Sequence, residues 1–380
     1  MISFRPTEDE KAFTEVAKDF AKDKIRPMAR ECENNRIVDQ KLVDVTAELG
    51  FLSLELPEYS GGLELPLITQ VQILQALSYG DLDIVQGFPG AGDAASIIRI
   101  QRNNPVFNAD TLDLTGNPTV AFIDIENANE PWGEKLEIRY DGDGYILDGT
   151  SLPVRMASFA QYVLVAAQDN RGVPVILWLN NADSWIVEKG DYRLGLLASG
   201  LGRISFDSVK ITGKHVLAEE EAADEILRQV RSRIRILQAA KEVGLMEAAL
   251  DYATEYTAER KAFGQEIAKF QGVSFRVAAM AMETRIANHF VREAAVKADK
   301  YGIEAEGEAL RALFRAHRAV RYVTDSTVQL LGGHGFVQDF PAEKWMRDAQ
   351  AQVALYGREK YFLEQRGEQL IAGKKEVAVP

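Results

Sequence analysis

Hydrophobic positions recur at helical spacing over the first hundred residues and again from about residue 220 onward, with a period-two block between. Thr7 and Glu10 form a capping box that opens the first helix, DEKAFTEVAKDFAKDKI, and Pro27 is expected to interrupt it. A second amphipathic segment, QKLVDVTAELG, closes at Gly50, where a glycine C-cap belongs. Residues 57–62 read as a loop and ITQVQILQALSYGD as a further helix. From about residue 118 the pattern alternates through TVAFIDIE, EKLEIRYDGDGYILDGT, YVLVAAQ, VPVILWLN, SWIVEKG and GRISFDSVKITG. Asp141 to Gly144 marks a hairpin turn, and short antiparallel strands at this spacing indicate a compact barrel or sandwich ending near Leu217. Beyond Ala218 four helical segments can be drawn, 221–258, 271–300, 304–331 and 341–371. The short connections at Phe263-Gly264, Tyr301-Gly302 and Gly332-Gly333 imply antiparallel neighbours, hence a four-helix bundle. The expected class is α+β: an N-terminal helical domain (1–117), a central β domain (118–218) and a C-terminal four-helix bundle (219–380).

Composition narrows the partners. A formal charge of −13 over 380 residues argues against general affinity for nucleic acid or an anionic membrane. The single cysteine, Cys32, excludes a disulfide framework, and the four histidines, His215, His289, His317 and His334, lack ligand spacing, so no metal is expected. No apolar run reaches the length of a membrane span, and MISFRPTEDEKAF has neither a secretory nor a transit-peptide composition. A cytoplasmic location is the expectation.

The stretch from Gln329 to Glu359 carries the most information. Gly332 and Gly333 permit the positive φ of a sharp corner, and paired glycines before a helix let backbone N–H groups approach a phosphate. LLGGHGF followed by FPAEKWMRDA resembles the C-terminal signature of the acyl-CoA dehydrogenase flavoprotein family. A second signature lies upstream, with Tyr256, Glu259 to Gly264 (ERKAFG) and Ile267 to Gln271 (IAKFQ). FRPTEDEKAF and LPEYSGGL look like the family's entry segment. The likeness spans the chain, strongest over 240–349 and weak between about 85 and 160.

The resemblance implies an N-terminal α-helical domain, a β-barrel domain and a four-helix bundle, with FAD as cofactor and an acyl-CoA thioester as substrate. A carboxylate removes the α-proton while the flavin takes the β-hydrogen as hydride. It also implies an oligomer, a homotetramer or homodimer. Arg260, Phe263, Gln271, Gln329, Gly332 and Gly333 match positions that grip the adenosine and pyrophosphate end of FAD, usually a neighbouring subunit's. An arginine fork suits phosphate oxygens.

Departures from the family pattern concern the chemistry. Counting from Met346-Arg347-Asp348-Ala349 puts the usual catalytic glutamate at Tyr356, followed by Gly357, on the substrate side, and Arg358, beside the flavin. A second subgroup's glutamate position falls on Ile234. Ionising a tyrosine at pH 7 costs about 4 kcal/mol, so Tyr356 reads as a neutral donor. Glu359, one helical turn on, is the candidate substitute base. In the β domain the flavin motifs read Ile125 to Glu130 and Pro153-Val154-Arg155; small hydroxyl donors are lost, and Arg155 restores a charge. Among Arg228, Arg231, Arg233 and Arg235, only Arg235 matches a CoA-site arginine. Its neighbours are expected to pair with the acidic run AEEEAADE. Two functions stay open: an acyl-CoA oxidoreductase with a non-standard base, and a non-catalytic subunit completing the FAD site of an active paralogue in a hetero-oligomer.

Overall fold

The Thr7 hydroxyl accepts from the Glu10 N–H at 3.2 Å while the Glu10 carboxylate accepts from the Thr7 N–H at 2.7 Å, so the expected capping box opens α1 (Glu8–Phe20). The computed structural model describes residues 7–107, 116–125, 136–180, 185–188, 192–357 and 359–373. Pro27 does not interrupt the helix. A π-helical turn (Ala21–Ile25) leads directly into α2 (Arg26–Asn35), and the Arg26 N–H reaches back five residues to Ala21 O. That wider turn accommodates a ring that a regular helix interior rejects. Asp39 caps α3 (Gln40–Glu48), and α4 (Leu67–Gly80), α5 (Leu82–Gln86) and α6 (Ala95–Ile100) follow.

The central block forms two four-stranded sheets. One has the order β1 (Val120–Asp124), β4 (Tyr162–Gln168), β5 (Pro174–Asn180), β8 (Val216–Glu219). The other has the order β2 (Glu137–Tyr140), β3 (Gly144–Thr150), β7 (Arg203–Thr212), β6 (Ile186–Glu188). Val163, Val165, Leu177 and Leu179 of the first sheet share a core with Ile138, Leu147, Ile204 and Phe206 of the second. The pairs are antiparallel except β1 with β4, which departs from the expected pattern. The chain leaves for β2 and β3 between these two strands, and a connection of that length can return in parallel.

α7 (Glu220–Glu259) then runs about 60 Å at 1.5 Å per residue. A two-residue ladder, β9 (Lys261–Ala262) with β10 (Gln265–Glu266), joins it to α8 (Gln271–Tyr301), and α9 (Glu306–Leu331) follows. Alanines at 239, 240, 248, 249, 294, 295, 312, 316 and 319 fill the core between these helices and allow their axes to come close. Gly244 extends that closeness to the N-terminal helices, since a Cβ there would lie 2.2 Å from Gln75 O on α4.

The fourth helix is the main correction to the expected bundle. It is broken into α10 (Ala342–Leu355) and α11 (Glu359–Ile371), and the break includes Tyr356 (φ −105°, ψ 16°) and Gly357 (φ +114°). Gly357 is glycine because a side chain at that φ is strained. α10 itself is pinned by Lys344, which is buried against Asp81 (2.8 Å), Asp348 (2.7 Å) and Asp83 (3.7 Å). Burial would lower the Lys344 ammonium, but Asp348, Asp81 and Asp83 together hold it above its usual range. Asp348 and Asp83 also accept the backbone N–H groups of Leu196 and Ala198, which fixes the loop after β6 to this anchor. Among the described residues no helix is long and apolar enough to cross a membrane.

Candidate functional site

The helix break presents Tyr356 to the N-terminal domain. Its hydroxyl donates to Asp93 Oδ2 at 2.9 Å, in the short turn Gly92–Ala94 that precedes α6. Asp93 Oδ1 accepts from Gln238 Nε2 of α7 at 2.8 Å. Gln86, at the end of α5, donates to Gln238 Oε1 (2.7 Å) and Gln352 Oε1 (2.6 Å), and Gln352 returns a bond to Gln238 at 3.2 Å. Lys241 Nζ donates to Gln86 Oε1 at 3.0 Å. The three glutamines are fully buried. Five segments from all three parts of the fold therefore meet in one polar cluster, the fifth being the loop that carries Arg155.

Arg155 enters from the β domain. It is buried, and Nη1 donates to Gln86 O and Phe88 O, both at 2.9 Å. A Cβ on Gly92 would stand 1.6 Å from Arg155 Nη2, so the glycine gives the guanidinium its place. Burial, and then the Asp93 charge, push the Tyr356 phenol well above its usual range, against the pull of Arg155. Tyr356 is accordingly a proton donor in this setting. Burial lowers Lys241 to about 7; Asp93 raises it and Arg155 lowers it further.

The two counted base positions converge here. Ile234 lies in the apolar cluster that contains Ala91, Ala94 and Ala95, and Tyr356 packs against the same cluster. The one-turn relation expected between Tyr356 and Glu359 does not hold, because the helix breaks between them. Glu359 is paired with Arg321 of α9. Gly357 is buried at the break, and Arg358 lies outside the described residues, as does 126–130 of the β-domain motif. Arg235 is buried between α7 and α11, with Nη2 donating to Gln365 Oε1 at 3.3 Å. Arg228 feels Asp224 and Glu225 of the acidic run, as expected, but its hydrogen-bonded partner lies outside that run, and so do those of its neighbours. Arg228 pairs with Glu306 (2.7 Å), Arg231 with Asp124 (2.8 Å) and Arg233 with Glu55 (2.5 Å). These are long-range contacts that sequence proximity could not give.

Arg260, Phe263, Gln271, Gln329, Gly332 and Gly333 fall elsewhere. The antiparallel helices bring all six to one end of the bundle, where all are exposed. Tyr256 ties that end together, its hydroxyl 2.9 Å from His334 Nδ1. Phe263 is 95% exposed at φ +53°. The Arg260 guanidinium has no hydrogen-bond or ion-pair partner among the described residues, and a Cβ at Gly332 or Gly333 would meet nothing within 4 Å. An open forked donor beside accessible backbone fits a pyrophosphate. Arg260 lies about 33 Å along the helix axis from Gln238, at 1.5 Å per residue.

Asp93, Gln86, Gln238, Lys241 and Gln352 were not singled out from the sequence. The glycines of GFPGAGD signal a turn around Asp93, but nothing local connects that turn to α7 or α10.

Residues 7–101 match the family description "Acyl-CoA dehydrogenase, N-terminal domain" and residues 225–371 "Acyl-CoA dehydrogenase, C-terminal domain". The chain is 26% identical over 360 residues to the 3-(aryl)acrylate reductase of Clostridium sporogenes, covering 92% of this chain and 95% of the relative. It is 26% identical over 361 residues to the benzylmalonyl-CoA dehydrogenase of Aromatoleum aromaticum, covering 91% and 94%. Its fold is that of the butyryl-CoA dehydrogenase of Megasphaera elsdenii (TM-score 0.84, 24% identity, 97% and 100% covered). The FAD complex of PigA is similar in the same way (TM-score 0.86, 20% identity, 97% and 99% covered).

Proposed function

The chain belongs to the acyl-CoA dehydrogenase family, with FAD as its cofactor, and from that premise we propose that it is an oxidoreductase acting on an acyl-CoA thioester at the Tyr356–Asp93 cluster. The observation that carries this reading is that both counted base positions, Tyr356 and Ile234, belong to one apolar cluster, from which the Tyr356 hydroxyl reaches the polar cluster at Asp93. Bound FAD supplies the hydride acceptor. Within the chain, Tyr356 and Gln238 hold the Asp93 carboxylate from two sides. Ala91, Ala94 and Ala95, neighbours of Asp93 in the chain, pack with Ile234 in one apolar cluster. Arg260, Gln271 and Gln329 would grip the pyrophosphate and adenosine of a neighbouring subunit's FAD, because they lie too far along the bundle to share one cofactor with the cluster of their own chain. A homo-oligomer that buries this end follows.

The test is direct. Protein purified alone should be yellow, and anaerobic titration with acyl-CoAs of several chain types should bleach the flavin. A yellow protein that none of them bleaches overturns the proposed activity.

A second reading has its own observation in Arg155. Its guanidinium fills the space over Gly92 at the position of a β-domain flavin motif, with both carbonyl acceptors drawn from this chain. That arrangement supports a non-catalytic subunit lending Arg260 and its neighbours to a paralogue. This reading expects a colourless homo-oligomer that acquires FAD only on co-expression with such a paralogue.

A further inference from the structure

We infer that Asp93 is the proton acceptor of this site, standing in from the N-terminal domain for the carboxylate that the helix break lacks. The inference rests on the thioester reading above. Tyr356 occupies the counted base position, and its hydroxyl ends on Asp93 Oδ2. A carboxylate is thereby present one hydrogen bond beyond that position, delivered by another segment. Tyr356 and Gln238 each occupy one Asp93 oxygen, so each oxygen keeps a second lone pair for a proton. Asp93 is half-buried beside the exposed Gly92, whereas the glutamines behind it are sealed. The other acid–base groups nearby are less suited. Tyr356 is held protonated, Lys241 is buried and bound to Gln86, and Glu359 is paired with Arg321.

In the step proposed, the thioester's α-carbon–hydrogen bond breaks and its electron pair moves toward the carbonyl, giving an enolate. The proton ends on an Asp93 oxygen. Return of a solvent proton along the same path reforms the bond, so exchange needs no oxidant. It can be read apart from turnover.

The experiment uses FAD-loaded protein in D2O with acetyl-CoA and phenylacetyl-CoA, which carry α-hydrogens but no β-hydrogen to lose. Deuterium entry at the α-carbon is followed by mass spectrometry or NMR. Wild type should exchange. Asp93→Asn should slow exchange by at least about 100-fold with FAD content and melting temperature retained. Asp93→Asn exchanging at the wild-type rate overturns the assignment. Should that variant fail to fold, Lys241→Met decides. Exchange abolished in Lys241→Met with FAD retained transfers the role to Lys241, while exchange retained there supports Asp93. Absence of exchange in wild type, with FAD bound, overturns the thioester reading itself.

Discussion

The free end of the bundle and the polar cluster at its middle use similar residue types in opposite ways. Arg260, Phe263, Gln271 and Gln329 project into solvent, with the backbone of Gly332 and Gly333 open beside them. In the cluster, Gln86, Gln238, Gln352, Lys241, Arg155 and Tyr356 leave no buried side-chain nitrogen or oxygen without a partner. The first region is prepared for a group that comes from outside the chain. The second is satisfied internally, with its glutamines sealed and Asp93 and Tyr356 half-buried at its edge. Substitutions in the middle should therefore cost folding free energy, and those at the end should cost binding.

The largest effect belongs to the anchor next to the cluster. Lys344→Met leaves Asp81, Asp83 and Asp348 buried without their cation, and removal of one partner from such a group costs about 3–5 kcal/mol. Urea denaturation should show that loss. A change below about 1 kcal/mol would mean that the charges are compensated in another way, and the contrast between the regions would weaken.

Lys241 gives the next effect, through pH. Its ammonium is lowered in the fold to about 7 from the usual 10.5, so the unfolded chain binds more protons between those values. Stability must then rise with pH across that window, by up to about 1.4 kcal/mol per pH unit, and the destabilisation is full below pH 7. Lys241→Met should remove the rise. An unchanged slope in the variant would show that Lys241 is not the group responsible.

Within the cluster, Gln238→Leu takes a donor from Asp93 and an acceptor from Gln86 and Gln352. The orphaned groups should cost about 1–3 kcal/mol, read by thermal or chemical denaturation. A variant as stable as wild type would indicate that the remaining glutamines re-pair.

These two regions also differ in how much of them the sequence discloses. The bundle end is built from short contiguous motifs, so ERKAFG and LLGGHGF carry it in linear order. The three-part fold is legible for the same reason, because helical and strand periods are local. The cluster is not. Gln86, Asp93, Arg155, Gln238 and Gln352 are joined only by folding, and Gln238 on an otherwise periodic helix reads as any polar residue. The helix break is hidden too, since α10 and α11 share one period and Gly357 is the one glycine between them. The π-turn before Pro27 is a further case, in which a local breaker was absorbed by a local change of helix type.

At the bundle end the effects should be smaller and appear in binding. Arg260→Ala removes a side chain with no partner among the described residues, so the unfolding free energy should stay within about 0.5 kcal/mol of wild type. FAD retention through gel filtration should fall, since a charge-assisted contact to phosphate contributes about 1.5–3 kcal/mol. Loss of stability with FAD retention intact would reverse the assignment of this region.

The smallest effect has the opposite sign. Phe263 sits at φ +53° followed by Gly264 at φ +84°, so both residues of the turn between β9 and β10 are left-handed. The geometry suits a two-residue hairpin, but a bulky side chain in that region costs about 1–2 kcal/mol. Phe263 recovers little of this within its own chain, since it is 95% exposed and meets the Phe270 ring edge-on, with centroids 6.1 Å apart. Phe263→Gly should relieve the strain. Part of the gain is offset by the added freedom of glycine in the unfolded chain, which leaves a net stabilisation of about 0.5–1 kcal/mol. Measured on dilute protein stripped of FAD, the variant should melt above wild type. Measured by sedimentation with FAD present, it should associate less strongly, because the ring is positioned for a surface beyond this chain. A variant that melts lower in both conditions would place Phe263 in the chain's own packing, and the division between a region built for itself and one built for a partner would fail at its most exposed residue.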